Sequence, residues 1–172
     1  MAQAQWQSDQ PTNLNYLSPV NFDLQINKLP KTRYFATGVT LPGVNFSEAL
    51  HTNTLAINSY LPGDKIEFDP LVVKFVVDED MTNYIEIFNW IIVDSKKTPK
   101  GGFSSASFEN MYSDATLIVN TSSNNANIEY MFEDTFPTGL SGVEFASDAQ
   151  GVEYAVSELT LRYTQFKVKT ST

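Results

Sequence analysis

The sequence has 172 residues, 42% of them hydrophobic and 13% aromatic, which suits one globular domain with a sizeable core. Its 20 acidic and 11 basic side chains give a formal net charge of −9, which argues against a protein that grips nucleic-acid phosphates. There is no cysteine, so disulfides, thiolate metal sites and cysteine nucleophiles are excluded.

The N-terminal stretch MAQAQWQSDQPT has neither a basic segment nor an apolar run, so we expect no signal peptide. No segment approaches the roughly 20 apolar residues of a membrane span, and we expect no membrane partner. Residues 1–17 are rich in Gln, Asn and Ser and predict a flexible arm before a β domain of residues 18–172. Such an arm is either a frayed terminus or a segment that orders against a neighbouring subunit, with Trp6 as its contact.

The first strand is predicted at residues 20–27, where apolar and polar residues alternate as in a half-buried strand. The alternating apolar residues are Val20, Phe22, Leu24 and Ile26. Basic side chains, a common guard against pairing between sheet edges, are absent from this segment. Its edge is therefore either a place of pairing with another chain or covered by a loop of the same chain. A second strand is predicted at residues 34–40.

Between Pro42 and Pro62 the chain is long, weakly patterned and moderately apolar. Because Pro-Gly breaks bound this segment, we predict a projecting hairpin, with a strand near residues 54–59. Its exposed apolar residues need covering, either by the domain itself or by another subunit. These residues are Phe46, Leu50 and Leu55.

The clearest strand pattern covers residues 66–77, with a phase slip at Asp69-Pro70 that indicates a bulge or bend. It leads into three acids, Asp78, Glu79 and Asp80. A carboxylate at the start of a helix accepts unpaired backbone N–H groups and complements the helix dipole. We therefore predict that Asp78 or Asp80 caps a helix. The spacing of a calcium loop is absent.

Helical spacing follows these acids and predicts one apolar face that packs on the sheet. The predicted face consists of Met81, Tyr84, Ile85, Phe88 and Ile92. Asn83, Glu86 and Asn89 are predicted to lie off it. The helix should end before Lys96-Lys97-Thr98-Pro99, because basic residues favour a helix C-terminus.

The remaining chain predicts further strands after a Gly/Ser loop. A hairpin is expected from residues 116–120 and 127–133, then a break at DTFPTGLSG, a short strand near 143–146 and a long last strand over 153–168. The sum is seven or eight strands and one substantial helix. We therefore predict a mainly β (α+β) fold, a twisted β-sandwich or open barrel with one packed helix.

Candidate catalytic residues are few. The single histidine, His51, lies in the weakly patterned segment without a nucleophile motif nearby, and a surface loop position is expected for it. Twenty acids supply some carboxylate pair in any fold, so no pair stands out for glycoside chemistry. We therefore predict no enzyme activity, no catalytic or metal site and no cofactor.

These motifs, in their order, resemble the tail tube protein family of contractile-tailed phages over residues 18–168, with small tube or baseplate proteins of cyanobacterial phages as the nearest likeness. Leu41-Pro42 matches the motif that ends an early strand, and Gly63-Asp64 the segment that opens a central strand. Trp90 matches the tryptophan near the helix end, and FPTGL at 136–140 the turn before the last strand. The Gln-rich arm and the KKTPKGGFSSASFENM loop depart from the family pattern, which leaves open the ring that this chain forms.

The resemblance implies a structural virion protein of the tail, assembled in the host cytoplasm. Six copies would close into a ring whose sheets join around a lumen, and rings would stack through a projecting loop. It implies contacts with other copies, with sheath and baseplate proteins and with a tape measure protein, while genomic DNA passes through without specific binding. A ring that initiates or terminates the tube, at the baseplate or neck, is the alternative to the main tube subunit.

The acidic excess would make a lumen that repels phosphate, so that DNA slides through it. Polar strand positions are the candidates for its lining, namely Asp23, Gln25, Glu129 and Glu133. A different class of function, a carbohydrate-binding β-sandwich, would use Trp6 and Trp90 as stacking residues. A position at the end of an amphipathic helix favours a core role for Trp90.

Overall fold

The computed structural model describes residues 15–51, 58–96, 111–145 and 154–170. Two helices lie in these ranges, α1 (Thr32–Phe35) and α2 (Thr82–Lys96). The strands in chain order are β1 (Phe22–Ile26), β2 (Ala36–Thr40), β3 (Val44–His51), β4 (Ser59–Phe68), β5 (Leu71–Val76), β6 (Ser113–Asn120), β7 (Ala126–Leu140), β8 (Val156–Arg162) and β9 (Gln165–Thr170).

The strands form one antiparallel sheet of seven and a separate hairpin of two. The order in the large sheet is β1-β6-β7-β8-β5-β2, and β9 pairs with β7 outside this path. The long β7 belongs to both halves of the sheet, because its first part pairs with β6 and β9 and its second part with β8. Asp134, at φ 56°, lies where β7 changes partners. The sheet therefore folds over on itself, as predicted for a mainly β fold with one substantial helix.

The core lies on one face of this folded sheet. In the half made by β1, β6, β7 and β9, Leu24 is opposite Leu117, which is opposite Tyr130. Alternation along each strand then places the neighbouring polar residues on the other face. The fully or nearly fully buried apolar side chains are Leu24, Ile26, Leu29, Leu71, Val73, Phe75, Ile87, Trp90, Ala115, Leu117, Phe132, Leu159 and Leu161.

Helix α2 begins with the predicted acid cap. Asp78 Oδ1 accepts the backbone N–H of Asn83 at 3.1 Å, and its Oδ2 accepts the Thr82 hydroxyl. These hydrogen bonds, led by that of Thr82, lower the pKa of the Asp78 carboxyl. The three acids therefore lie at the junction between β5 and α2, and Asp78 is the acid that caps the helix.

The predicted apolar face of α2 is partly wrong. Ile85 and Phe88 are each 48% exposed, whereas Asn83, Ile87 and Trp90 are buried. Asn83 tolerates burial because its Nδ2 donates to the Val76 carbonyl at 2.8 Å, and its Oδ1 accepts backbone N–H groups. The helix carries apolar residues on two sides. Tyr84 of the predicted face packs against the core, but spacing alone put the exposed Ile85 and Phe88 there as well.

Two predicted strands are interrupted in the structure. The segment at 34–40 begins as the short helix α1 and becomes β2 only at Ala36. The segment at 66–77 contains two strands of different sheets, since β4 ends at Phe68 in the hairpin and β5 starts at Leu71 in the large sheet. At Asp69-Pro70 the chain thus passes from one sheet to the other. A slip in the alternation pattern looks the same for such a crossing as for the predicted bulge or bend.

Two predictions near the C-terminus are also corrected. DTFPTGLSG was expected to break the chain, but β7 runs through it to Leu140, with a register shift between Pro137 and Gly139. The long last strand is instead β8 and β9, separated at Tyr163-Thr164. Residues 143–145 form no strand, and the rest of that predicted strand lies outside the described residues.

Candidate subunit interface

The hairpin of β3 and β4, called here the projecting hairpin, is a small sheet of its own. Its strands pair from Val44↔Phe68 to His51↔Ser59, and in the part of the chain that the structure describes neither strand pairs with the large sheet. Within the described ranges, no other strand or helix packs broadly on it. A two-stranded ribbon by itself is marginally stable in water, so this hairpin is suited to being covered by a partner.

One face of the projecting hairpin is mainly apolar, with the exposed Glu48 beside Leu50 on it. Cross-strand pairs place Val44, Phe46 and Leu50 of β3 beside Phe68, Ile66 and Tyr60 of β4. Five of these side chains, all except Phe68, are more than half exposed; they are called here the hairpin's apolar face. A contiguous exposed apolar surface is typical of a site that contacts another molecule.

A close approach between its strands shapes the hairpin in the middle. A Cβ built at Gly63 would lie 2.2 Å from Ser47 Oγ and 2.6 Å from the Ser47 carbonyl oxygen. The Ser47 hydroxyl accepts the Lys65 backbone N–H at 3.0 Å. A register shift lies here, between Phe46 and Glu48, so Pro62-Gly63 is a bulge inside β4 rather than the end of the segment.

Among the described residues, β1 has β6 as its one partner strand, so its other side is an open edge of the large sheet there. The Asn27 N–H donates to the Asp114 carbonyl at 3.1 Å, and the Asn120 N–H donates to the Asn21 carbonyl at 2.9 Å. Antiparallel ladder bonds involve every second residue, so Phe22 and Leu24, between these two positions, direct their backbone N–H and C=O groups away from β6. This edge is the one without basic residues, and both alternatives of the sequence analysis stay open for it: pairing with another chain, or cover by a loop of the same chain.

The four predicted lumen residues lie on one face of the sheet, called here the outer face. Asp23, Ile118, Glu129 and Lys169 form one row across β1, β6, β7 and β9, and Gln25, Thr116, Met131 and Lys167 form the next. Glu133 is farther along β7, opposite Gln165. The structure thus brings these residues together on the surface opposite the core. Their role in lining a lumen stays a prediction.

Basic side chains accompany the acids of the outer face. Arg33 Nε donates to Asp23 Oδ1 at 2.9 Å, Lys167 pairs with Glu133, and Lys169 Nζ lies 4.0 Å from Glu129. The hydrogen bonds from Lys167 and Gln165 lower the pKa of the Glu133 carboxyl. The predicted alternation placed the acids on the polar face of their strands. It did not predict that lysines of β9 lie beside them, because β9 and β7 pair across a long stretch of the sequence.

The other predicted contact residues divide into described and undescribed ones. Phe46 and Leu50 are on the hairpin's apolar face, while Leu55 and Trp6 lie outside the described residues. Sequence reasoning missed Val44, Tyr60 and Ile66 of that face, because it assigned Ile66 to the core strand. Tyr60 and Ile66 are apolar residues at even-numbered positions on either side of Pro62. This continued alternation is the signal that could have shown that one strand runs through Pro62.

The alternative binding and catalytic residues are also located. Trp90 is 8% exposed and its Nε1 donates to the Met111 carbonyl at 3.1 Å, so its ring is not available to stack on a sugar. His51 is exposed at the end of β3. Over the described ranges, no three His, Asp or Glu side chains are grouped as metal ligands would be. In the same ranges, no helix is long and apolar enough to cross a membrane.

A curated relative covers nearly the whole chain. The chain is 26% identical over 160 residues to the tail tube terminator protein of Enterobacteria phage T4, with 90% of each protein covered.

Solved structures show the same fold. A chain of the anti-feeding prophage cap, the tube terminating cap, has a TM-score of 0.67 at 14% identity, over 97% of this chain and 99% of that chain. A chain of the sheath/tube terminator of the PVC extracellular contractile injection system, in its extended state, has a TM-score of 0.63 at 17% identity, over 92% and 100%. A chain of the PVC sheath-tube complex reaches 0.61 at 14% identity, over 99% of both.

The family model described as phage tail tube protein matches residues 11–169. This match includes the open sheet edge, the projecting hairpin and the outer face. The chain therefore belongs to the phage tail tube protein family, whose members are components of the virion tail.

Proposed function

We propose that this protein is a tail tube terminator, a subunit that closes into a ring at one end of the tube. The observation that carries the proposal is the 26% identity to the phage T4 tail tube terminator over 90% of both chains. The terminating ring is thus favoured over the main tube subunit, which was the leading prediction from sequence.

Ring closure is supported by the edges of the sheet. Strand β1 has an open edge without basic guards, and β2 is the other end of the strand order. A heterologous contact that repeats around an axis gives a closed ring, and pairing between edges removes unsatisfied backbone groups. We propose a hexamer, as the family resemblance implies.

Contact along the tube axis is proposed for the projecting hairpin. Its apolar face is exposed and uncovered by the described part of the chain. Phe46 and Leu50 are the proposed contact residues toward the adjoining ring of the tube. Trp6 and Leu55 remain proposed contacts.

The outer face is the proposed lining of the lumen, with Asp23, Gln25, Glu129 and Glu133. Its acids have basic neighbours, so this surface is closer to charge balance than the −9 of the whole chain suggests. A balanced surface offers little net attraction to phosphate, which suits passage of DNA without specific binding. Sheath, baseplate and tape measure proteins are the proposed further partners.

Purified protein imaged by negative-stain electron microscopy over a concentration series tests the proposal. We expect sixfold rings whose thickness stays constant as concentration rises. Added to growing tubes of the cognate main tube protein, these rings should shorten the mean tube length, and an equal mass of serum albumin should not. Long tubes formed by this protein alone would assign it to the main tube, and a monomer at all concentrations would contradict ring formation.

A further inference from the structure

The root of the projecting hairpin, defined here as Gly43, Asn45, Phe68 and Asp69, contacts the body of the protein. The Asp69 N–H donates to the Gly43 carbonyl at 3.1 Å, and Asn45 Nδ2 donates to Asp69 Oδ1 at 3.3 Å. A Cβ at Gly43 would lie 2.6 Å from Asp69 Oδ2, so the two strands converge tightly there. The direction of the hairpin is therefore decided by whatever holds this root.

Two side chains at the end of β8 and in the turn that follows it bind the root. Arg162 Nη1 donates to the Phe68 carbonyl at 3.0 Å, and the Tyr163 hydroxyl donates to the Asp69 carbonyl at 2.8 Å. Both acceptors are backbone atoms at the last residue of β4 and the first residue beyond it. Hydrogen bonds to two consecutive backbone carbonyls restrain the backbone at the root. A contact with a side chain would restrain only the rotamer of that side chain.

Aromatic rings connect the same root to the core. The Phe68 ring lies 5.3 Å from that of Phe166 and 6.0 Å from that of Tyr163, centroid to centroid. Tyr163 and Phe166 in turn contact Phe132, which is 1% exposed, at 5.0 and 5.6 Å. The Phe68–Phe166 and Phe132–Tyr163 contacts are edge-on and the other two are tilted. Such contacts are directional, so the cluster limits rotation about the root.

We infer that Arg162 and Tyr163 are positioning residues for the hairpin's contact with a neighbouring subunit: they hold the hairpin at a fixed angle to the sheet before it meets its partner. A ribbon ordered in advance loses less conformational entropy on binding. The role of the hairpin as a contact rests on the proposed function; the clamp on its root is a property of one subunit and can be measured without assembly.

The test compares Tyr163→Phe with Tyr130→Phe. The first variant keeps the ring and removes the hydroxyl that binds Asp69; the second removes a hydroxyl from another ring of the same cluster, 6.2 Å from Phe166. Arg162→Gln is a second probe, which removes the guanidinium bound to Phe68. Amide hydrogen exchange of dilute monomeric protein, read separately over β3–β4 and over β5–β8, gives a readout independent of rings.

We expect Tyr163→Phe to speed exchange in β3 and β4 about tenfold and to leave β5 and β8 near the wild-type rate, which corresponds to about 1.4 kcal/mol in the opening equilibrium of the hairpin. Tyr130→Phe should leave the hairpin unchanged. In assembly, the concentration needed for engagement with the tube should rise several-fold for Tyr163→Phe while single rings still close.

Uniformly faster exchange in all strands would assign Tyr163 to general stability and overturn the inference, as would unchanged hairpin exchange in both Tyr163→Phe and Arg162→Gln. If the wild-type protein forms no rings but Tyr163→Phe still loosens the hairpin, the proposed function fails and the clamp stands. If rings and tube engagement are normal in a variant with a loosened hairpin, the clamp exists but does not position the contact.

Discussion

At the scale of single residues, polar side chains join secondary-structure elements where the chain changes direction. Asp78 and Asn83 connect β5 to α2, and Tyr163 connects the hairpin root to the turn after β8. In each case the side chain forms a hydrogen bond with a backbone N–H or C=O group that has no partner within its own helix or strand ladder. Backbone groups that are shielded from water need such partners. Individual substitutions at these places should therefore affect particular junctions.

Asn83→Ala should destabilise the fold by about 1–3 kcal/mol, because it leaves the Val76 carbonyl without its donor in a fully buried site. Urea unfolding at neutral pH measures this change in the free energy of unfolding. Asn89→Ala, at an exposed position of the same helix, is the matched control and should be neutral or slightly stabilising. Equal effects of the two variants would show that Asn83 has no junction role.

Acid stability should depend on Asp78. Because folding lowers the pKa of this carboxyl, its contribution to stability is present above the unfolded pKa and is lost as the pH falls through the folded pKa. Asp78→Asn should therefore lower the melting temperature at pH 7 and narrow the difference between pH 7 and pH 3. Thermal unfolding followed by circular dichroism measures this; Glu79→Gln, which removes a neighbouring exposed acid, should retain the wild-type difference.

Tyr163 should titrate late in alkali. Burial, followed by the nearby charge of Asp69, raises the pKa of its phenol to about 12, while Arg162 acts in the opposite direction. Since folding raises this pKa, the contribution of the neutral phenol to the stability of the fold is fully present below the pKa of the unfolded state. It is lost as the pH rises toward 12. The absorbance change at tyrosinate wavelengths, wild type minus Tyr163→Phe, should show one phenol titrating near 12; a difference curve centred near 10 would contradict the burial of this group.

At the scale of elements, the projecting hairpin and α2 both carry apolar residues that the described chain leaves exposed. In the hairpin they share one face, from Val44 to Ile66. In α2 they are Ile85 and Phe88, whereas Ile87 of the same helix is buried. An element with apolar residues on two sides has one side for its own core and one for another contact, which is typical of subunits rather than isolated domains.

Gly63→Ala should disturb the hairpin locally. The added Cβ would meet Ser47 Oγ and the Ser47 carbonyl oxygen well inside contact distance, and the carbonyl belongs to the backbone and cannot rotate away. We expect faster amide exchange in β3 and β4 and weaker engagement with the tube, with little change in the core strands. Gly142→Ala is the control, since nothing lies within 4 Å of its added Cβ; an equal effect of both variants would remove the special role of Gly63.

At the scale of the whole molecule, the large sheet is an open path that ends at β1 and β2, with β9 as a further edge. Lysines at 167 and 169 accompany the β9 edge, whereas β1 has none. Because basic residues discourage pairing between edges, β1 is the better candidate for continuing the sheet into another subunit. Family membership and this edge are the two observations that support the proposed ring.

Ring closure should be sensitive to proline on β1. Phe22→Pro removes a backbone N–H that points away from β6, so the monomer should fold while pairing with a neighbouring strand is blocked. Phe22→Ala is the control, because it also removes the phenyl side chain but keeps the backbone N–H. Light scattering after size-exclusion chromatography should show monomers for the proline variant and rings for the alanine variant, at matched circular dichroism spectra. Rings of normal size with proline would exclude β1 as the edge of closure.

The sequence by itself determined the mainly β class, the start of α2 at the acids, a hairpin after Pro42 but not its extent to Phe68, and the alternation that separates Leu24 from Asp23. These follow from local chemistry: strand period, helix capping and Pro-Gly breaks act over a few neighbouring residues. The tail tube resemblance also rested on short motifs in order.

Only the tertiary structure decided where long segments change partners and which side of α2 is buried. Residues 66–77 belong to two sheets, β7 continues through Pro137, and the last strand divides at Tyr163-Thr164. The lysines beside Glu129 and Glu133 come from β9, more than 30 residues away in the chain. Such features depend on which distant strand lies alongside, and local periodicity is the same whichever neighbour the strand has.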